Sequence, residues 1–307
     1  MAHTLIEYAK TTQDQVLAGI IETFALTSPI MDALPFQDIQ GNALSYNQES
    51  ALPGIGFRKL NEGYTESTGV LLPATEKIKI IGGDMDTDKA LIKMFGLERR
   101  AYDINSQAKA LALKFTKEFF DGDEVADEEC FNGINKRLAS NQLIYADGVG
   151  TTSAELTKNQ LMQLIDACDE KPDLLVWGKA FARQVDALYD DSNILTTDKN
   201  QWGQRIQLFD GIPIGIVDKD HQGSAILGFD ETVGVSGAVC ASAYAFKFGA
   251  NQYVSGLQNG APEGTDFKEI SSSPVWRYRL EWLIGVAMFH PRCASRLCGV
   301  KKMIGIV

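Results

Sequence analysis

The chain has 307 residues, 40 of them acidic against 29 basic, and a formal net charge of −11. With 45% apolar and 22% charged residues it has the make-up of a folded protein of about two domains, not of a disordered chain. The acidic balance disfavours charge-driven binding of the outer surface to nucleic acid, because such binding relies on cations displacing counterions. No apolar run reaches the roughly 18 residues a membrane span needs. The start, Met1 to Tyr8, lacks the basic residues and apolar stretch of a signal peptide. Five scattered cysteines (Cys130, Cys168, Cys240, Cys293, Cys298) argue against a disulfide framework and for synthesis in a reducing cytoplasm.

Residues 1–35 read as an arm containing one helix. Val16, Ile20, Ile21 and Phe24 fall at helical spacing, and Ser28-Pro29 ends the pattern. Strand-like pieces follow at Phe36 to Tyr46 and Lys77 to Ile81, where Ile78 and Ile80 alternate with Lys77 and Lys79. Between them, Leu52 to Thr68 has too few periodic apolar residues to pack alone, and compact domains rarely carry so long an unused connection. A floppy loop is one reading. The sharper one is an extended hairpin whose Ile55, Phe57 and Tyr64 bury against another chain.

Leu97, Ala101, Ile104, Ala108, Leu111, Phe115 and Phe119 recur in steps of four and three without Pro or Gly, which predicts a long helix ending at Asp121-Gly122-Asp123. From about 153 to 230 helix and strand signals alternate. A capping box at Thr157 and Gln160 opens one helix and Lys179 to Tyr189 forms another, with strands at Leu174 to Trp177, Gly211 to Val217 and Ile226 to Phe229. The last third turns to β: Tyr244, Phe246 and Phe248 alternate with small or polar residues. In Val275 to Trp282, Trp276, Tyr278, Leu280 and Trp282 face one side, with Arg277, Arg279 and Glu281 on the other. The fold class is α+β.

Enzyme signatures fail in turn. The three histidines (His3, His221, His290) are far apart and form no HExxH, and Cys293 with Cys298 has no second pair to complete a zinc site. Asp84-Met85-Asp86-Thr87-Asp88 and Asp121-Gly122-Asp123 resemble calcium loops but lack the glycine at position six and the glutamate at twelve, so both read as turns with solvated charge. No phosphate-binding loop is present. The nearest approach to a nucleophile elbow is Gly234-Val235-Ser236-Gly237-Ala238, which a glycine-rich connection explains as well. No catalytic residue, cofactor or metal is assigned. An arm, a protruding hairpin and a long surface helix suit a protein whose work is contact with its own copies.

The order of these elements, with Gly19 to Phe24 and Thr27-Ser28-Pro29, Leu52-Pro53-Gly54 leading to Asn61 to Ser67, Phe119 to Asp123, Ile226 to Thr232, Phe248 to Gly260 and Arg277 to Leu297, resembles the HK97-fold major capsid protein of tailed bacteriophages. The resemblance runs nearly end to end. It implies an N-terminal arm (1–35), an E-loop (36–82), a P-domain (83–152 and 269–288) with a spine helix at about 97–120, and an α/β A-domain (153–268 and 289–307). It further implies assembly into pentamers and hexamers of an icosahedral head around double-stranded DNA, with no sequence-specific contact. The virion would be built in the host cytoplasm with a separate scaffolding protein and a portal protein, since the chain starts almost directly at the arm. Whether a decoration protein binds outside is left open, and no membrane is involved. Ile55, Phe57, Arg58, Tyr64, Arg277, Arg279 and Glu281 are the candidate inter-subunit contacts.

Some members of that family cross-link their shells through a Lys, an Asn and a buried Glu. Glu281 matches the Glu position, but the Asn position falls at Pro274 beside Ser273, so no cross-link is expected and Glu281 should pair with Arg279 or Arg277. Two alternatives stand beside this reading: an encapsulin-like bacterial nanocompartment, and, from another class, a cytosolic α/β hydrolase using Ser236.

Overall fold

The computed structural model describes residues 3–4, 15–51, 53–138, 140–189, 194–199, 205–233, 238–270 and 273–303. Ser236 lies outside them. In chain order the elements begin with β1 (His3–Thr4), α1 (Gln15–Thr27), α2 (Pro29–Ala33), β2 (Pro35–Asp38), β3 (Ala43–Ala51), β4 (Val70–Lys77) and β5 (Lys79–Asp88). Next come α3 (Lys89–Phe95), α4 (Leu97–Asp121), α5 (Ile134–Arg137), β6 (Leu143–Tyr145), α6 (Lys158–Asp166), β7 (Leu174–Gly178), α7 (Lys179–Tyr189), β8 (Leu195–Lys199), β9 (Arg205–Phe209) and β10 (Ile212–Val217). The chain closes with β11 (Glu231–Val233), β12 (Ala238–Phe246), β13 (Val254–Gln258), β14 (Glu263–Ile270), β15 (Ser273–Met288) and β16 (Ala294–Lys301).

Two sheets share the spine helix α4. One is organised on the 16-residue strand β15, which pairs antiparallel with β5, β13 and β14 and connects through β13 to β2 and β1. The other runs β6-β16-β12-β7-β10-β9-β8, with β11 on β12 and parallel pairing between β7 and β10. A separate two-stranded hairpin, β3 with β4, leaves the body.

The period-two alternation of the strands decides which core each residue joins. On β7, Leu174 and Val176 face α4 while Leu175 and Trp177 face α6 and α7; on β12, Tyr244 and Phe246 take the first side, Ala243 and Ala245 the second. The spine helix buries Ala108, Leu111, Ala112, Phe115, Thr116, Phe119 and Phe120. Phe115 reaches Trp282 of β15 (ring centroids 6.3 Å apart), and one turn later Phe119 meets Phe246 of β12 edge-on at 5.4 Å. One helix face thus glues both sheets. The helix stops at Gly122, where a Cβ would collide with the carbonyls of Glu118 and Phe131.

The structure revises several expectations. The 36–46 piece is two strands in different sheets, parted by a turn in which Gly41 takes φ +96°. The strand expected at Lys77 to Ile81 is interrupted at Ile78, so Ile78 is half-buried while Ile80 faces solvent. Asp84 to Asp88 is no turn: it is the end of β5, because cross-strand arginines neutralise its carboxylates. Ile226 to Phe229 forms turns instead of a strand, with Ile226 and Leu227 tucked into the core as loop residues. Leu97 and Ala101, the first members of the helical stripe, are exposed, whereas Arg100 and Asp103 are buried there. Both β13 and β14 join the sheet of β15 and β6 joins the other, so sheet membership does not follow the divisions expected at 152/153 and 268/269.

Candidate inter-subunit surface

The hairpin is fixed at its base and bare at its tip. Antiparallel pairing from Ala43↔Lys77 to Glu49↔Leu71 makes the stalk. At its root the Tyr46 hydroxyl donates to the Met288 carbonyl (2.8 Å) and its ring packs on Phe289, 4.6 Å between centroids. Burial, helped by the Glu76 charge, pushes the Tyr46 phenol up to about 12. Glu76 receives both Nη groups of Arg137, whose Nε donates to the Asn132 carbonyl at 2.8 Å. Lys77 and Lys79 both reach Glu124 Oε1, at 3.0 and 3.2 Å. A bidentate, largely dry ion pair with a second anchor sets direction as well as energy. The stalk is therefore aimed by the body.

Beyond the stalk the chain holds its own shape with polar contacts. The Gly54 N–H donates to Ser67 Oγ (2.7 Å), Arg58 Nη1 to the Glu62 carbonyl (3.2 Å), and the Lys59 N–H to Glu62 Oε2 (3.3 Å). The Arg58 guanidinium lies 5.3 Å over the Tyr64 ring. Meanwhile Ile55 (98% exposed), Phe57 (fully exposed) and Leu60 (90%) bury almost nothing, and Tyr64 (69%) is covered only in part. Four large apolar side chains on one protrusion are what an interaction surface shows before its partner arrives. Leu60 was not singled out from the sequence, since one apolar residue between Lys59 and Asn61 carries no periodicity.

The other candidates sit on the solvent face of β15. Arg277 grips Asp86 through Nε and Nη2, both at 2.7 Å, and Arg279 grips Asp84 at 2.6 and 2.9 Å. These guanidinium contacts hold both aspartates below the usual carboxylate range. Arg279 also covers the Phe267 ring at 5.2 Å. Glu281 makes no direct ion pair with either arginine among the described residues: they grip Asp84 and Asp86 across the strand, while Glu281 stands exposed opposite Gly82 and Glu263 and adds only its nearby charge to the field at Arg279. Among the described residues no hydrogen bond or ion pair joins the hairpin tip to this face.

Little here is arranged for chemistry. Among the described residues no three His, Cys, Asp or Glu side chains are grouped to hold a metal ion, and no helix is long and apolar enough to cross a membrane. All five cysteines are free thiols, four of them buried. Asp123 is bound to Lys136 at 2.6 Å and to the Val125 N–H at 3.0 Å.

Comparison with known proteins agrees with this geometry. Residues 12–160, close to half of the chain, match the family "Major capsid protein GP7". No curated protein sequence matches. Among solved structures, the SrpI encapsulin of Synechococcus elongatus PCC 7942 superposes with a TM-score of 0.64 at 11% identity, covering 89% of this chain and 88% of that one. The capsid of a native GTA particle gives 0.63 at 12% identity, covering 91% and 90%. Mycobacterium phage Bobi gives 0.59 at 11% identity, covering 88% and 89%. The likeness in structure carries the fold, which is the HK97-like fold of capsid and encapsulin shells, and the N-terminal half of the sequence is similar to a family of major capsid proteins.

Proposed function

We propose that copies of this chain form the pentamers and hexamers of an icosahedral phage head enclosing double-stranded DNA, with the hairpin of each subunit lying on its neighbour. The observation that carries this is the tip: Phe57 is fully exposed on an aimed, polar-braced protrusion. Each apolar side chain left in water forgoes roughly 1.5–3 kcal/mol that a second surface would return. Such contacts, weak one at a time, become strong when closed into rings and then a shell. In this reading residues 1–35 are the arm, the stalk and tip the E-loop, the sheet of β15 with α4 the P-domain, and the seven-stranded run with its helices the A-domain. The arginine face of β15 and Glu281 are further contact candidates. A separate scaffolding protein and a portal protein complete assembly in the host cytoplasm. The net charge of −11 suits a wall that lets DNA pass in and out without gripping it.

Pro274 stands where a cross-linking shell would need Asn, so the subunits are held without covalent links. Mature particles boiled in detergent give one monomer band; a ladder would refute that. The function itself is tested by light scattering on size-separated protein, then electron microscopy of the heaviest fraction. Closed shells holding nucleic acid support a phage head. Shells holding copurified enzyme would favour a nanocompartment, the second reading, which the likeness to an encapsulin keeps in view. A chain that stays small when scaffold is supplied would overturn both.

A further inference from the structure

The two ends of the spine helix present complementary surfaces that one chain cannot bring together. At the N-terminal end, α3 buries none of its seven residues, and Leu91, Met94, Phe95 and, beyond Gly96, Leu97 are all exposed. Isolated helices this short are unstable in water. This one is capped by Asp88, which accepts from the Ala90 N–H at 2.7 Å, and it rests on β5 and β15 with Ile92 half-buried, yet Leu91, Met94 and Phe95 stay exposed. Lys89 is paired with Glu269, whereas Lys93 has no anionic partner among the described residues. At the other end, the turn after Asp121 carries Val125, 92% exposed, beside Glu128 and Glu129. The neighbouring Asp123 and Glu124 are neutralised by Lys136, Lys77 and Lys79. The carboxylates of Glu128 and Glu129 make no ion pair among the described residues, although Lys79 Nζ also donates to the Glu128 carbonyl. The 25 residues of α4 hold the two surfaces about 37 Å apart at the ~1.5 Å rise of a helix.

We propose that the α3–α4 elbow of one copy docks on the 123–129 turn of a second copy. Met94 and Phe95 cover Val125, and Lys93 settles between Glu128 and Glu129. Opposite spare charge around an apolar centre on each side favours this pairing over elbow against elbow, which would bring the unpaired Lys93 residues together. The contact is heterologous, head to tail, and so propagates from subunit to subunit as a closing shell requires. It rests on the self-assembly reading above but adds a pairing of surfaces that neither the hairpin nor the β15 face involves.

The test is a pair of cysteine additions in a Cys130→Ser background, which removes the half-buried native thiol beside the turn: Met94→Cys in one chain and Val125→Cys in another, co-assembled under conditions in which the Cys130→Ser chain forms shells, oxidised and run without reductant. A dimer in the mixture about tenfold above that from either variant alone is expected of a heterologous contact repeated throughout a shell. Shells without such a dimer, or equal dimer from Met94→Cys alone, would overturn the pairing and leave the capsid reading standing. Native chain that forms no shell with scaffold supplied would remove both. Charge reversal gives an independent check: Lys93→Glu and Glu128→Lys with Glu129→Lys should each lower shell yield, and together restore it. Singles that assemble normally, or a combination that rescues nothing, would count against the contact.

Discussion

The aromatic seam around α4 and the tip of the 43–77 hairpin use the same kinds of residue to opposite ends. In the seam Phe24, Phe36 and Phe115 surround Trp282 at 5.7, 5.1 and 6.3 Å, and all are buried. In the tip Ile55, Phe57, Leu60 and Tyr64 point into solvent while polar side chains hold the backbone. Burial inside a chain stabilises the subunit; apolar surface kept outside stabilises only what subunits make together. The comparison teaches where each substitution should be felt, and it can be broken by finding the effect in the wrong place.

The largest effect on the subunit is expected from Trp282→Ala. Emptying an aromatic site in a close-packed core costs about 3–5 kcal/mol, a large part of a domain's net stability. Urea denaturation should show a strongly lowered midpoint, or the protein should fail to fold. A near-native midpoint would mean that the two sheets are not joined through this residue.

Next comes the joint between the two regions. Glu76→Gln leaves Arg137 largely buried without its counter-charge, at a cost on the order of 1–3 kcal/mol. The loss should be local: hydrogen exchange should quicken in 43–51 and 70–77 more than in the seam, because the ion pair aims the stalk and does not pack the core. Uniform quickening would place Glu76 in the global fold.

A smaller effect lies in the Asp84–Arg279 and Asp86–Arg277 ladder. Both carboxyls are held low by hydrogen bonds from their arginines, so their contribution is present above the ordinary carboxylate pKa of about 4 and is lost as pH falls through the lower folded-state values. The pairs are exposed and screened, which keeps the contribution modest. Asp84→Asn with Asp86→Asn should therefore flatten the loss of stability below pH about 4, measured by urea midpoints at neutral and acid pH. An unchanged acid slope would show that the ladder does not feel folding.

How much of this could be read beforehand divides along the same line. The spine helix and the sided pattern of β15 were legible because burial against a sheet imprints a period of 3.6 or 2 on the chain. The strand at Asp84 to Asp88 was not, because its alternating carboxylates look like a cation loop until the arginines of β15, some 190 residues later, are seen to answer them. Nor was the elbow: Leu91, Met94 and Phe95 carry the spacing of a core stripe, and periodicity says that a face is apolar without saying what covers it. The Glu281 expectation failed for a related reason. On a strand residues two apart share a face, so Arg277, Arg279 and Glu281 stand side by side, and the arginines reach across to Asp86 and Asp84 of β5 and not along to Glu281.

The smallest effect on the subunit, and the sharpest separation of the two regions, is expected from Phe57→Ala with Arg58→Ala. Both side chains are exposed, and Arg58 touches only the tip itself, so the urea midpoint should move by no more than about 0.5 kcal/mol equivalent. Assembly should fall far more, because every subunit in a ring loses the same contact and linked contacts fail together. The measurement is therefore double: denaturation of the free subunit, and shell yield by light scattering under conditions where the native chain assembles. A subunit that unfolds would place these residues in its own core. Normal shells from a normally stable subunit would mean that the tip touches nothing in the assembled state, and its exposed apolar residues would need another partner.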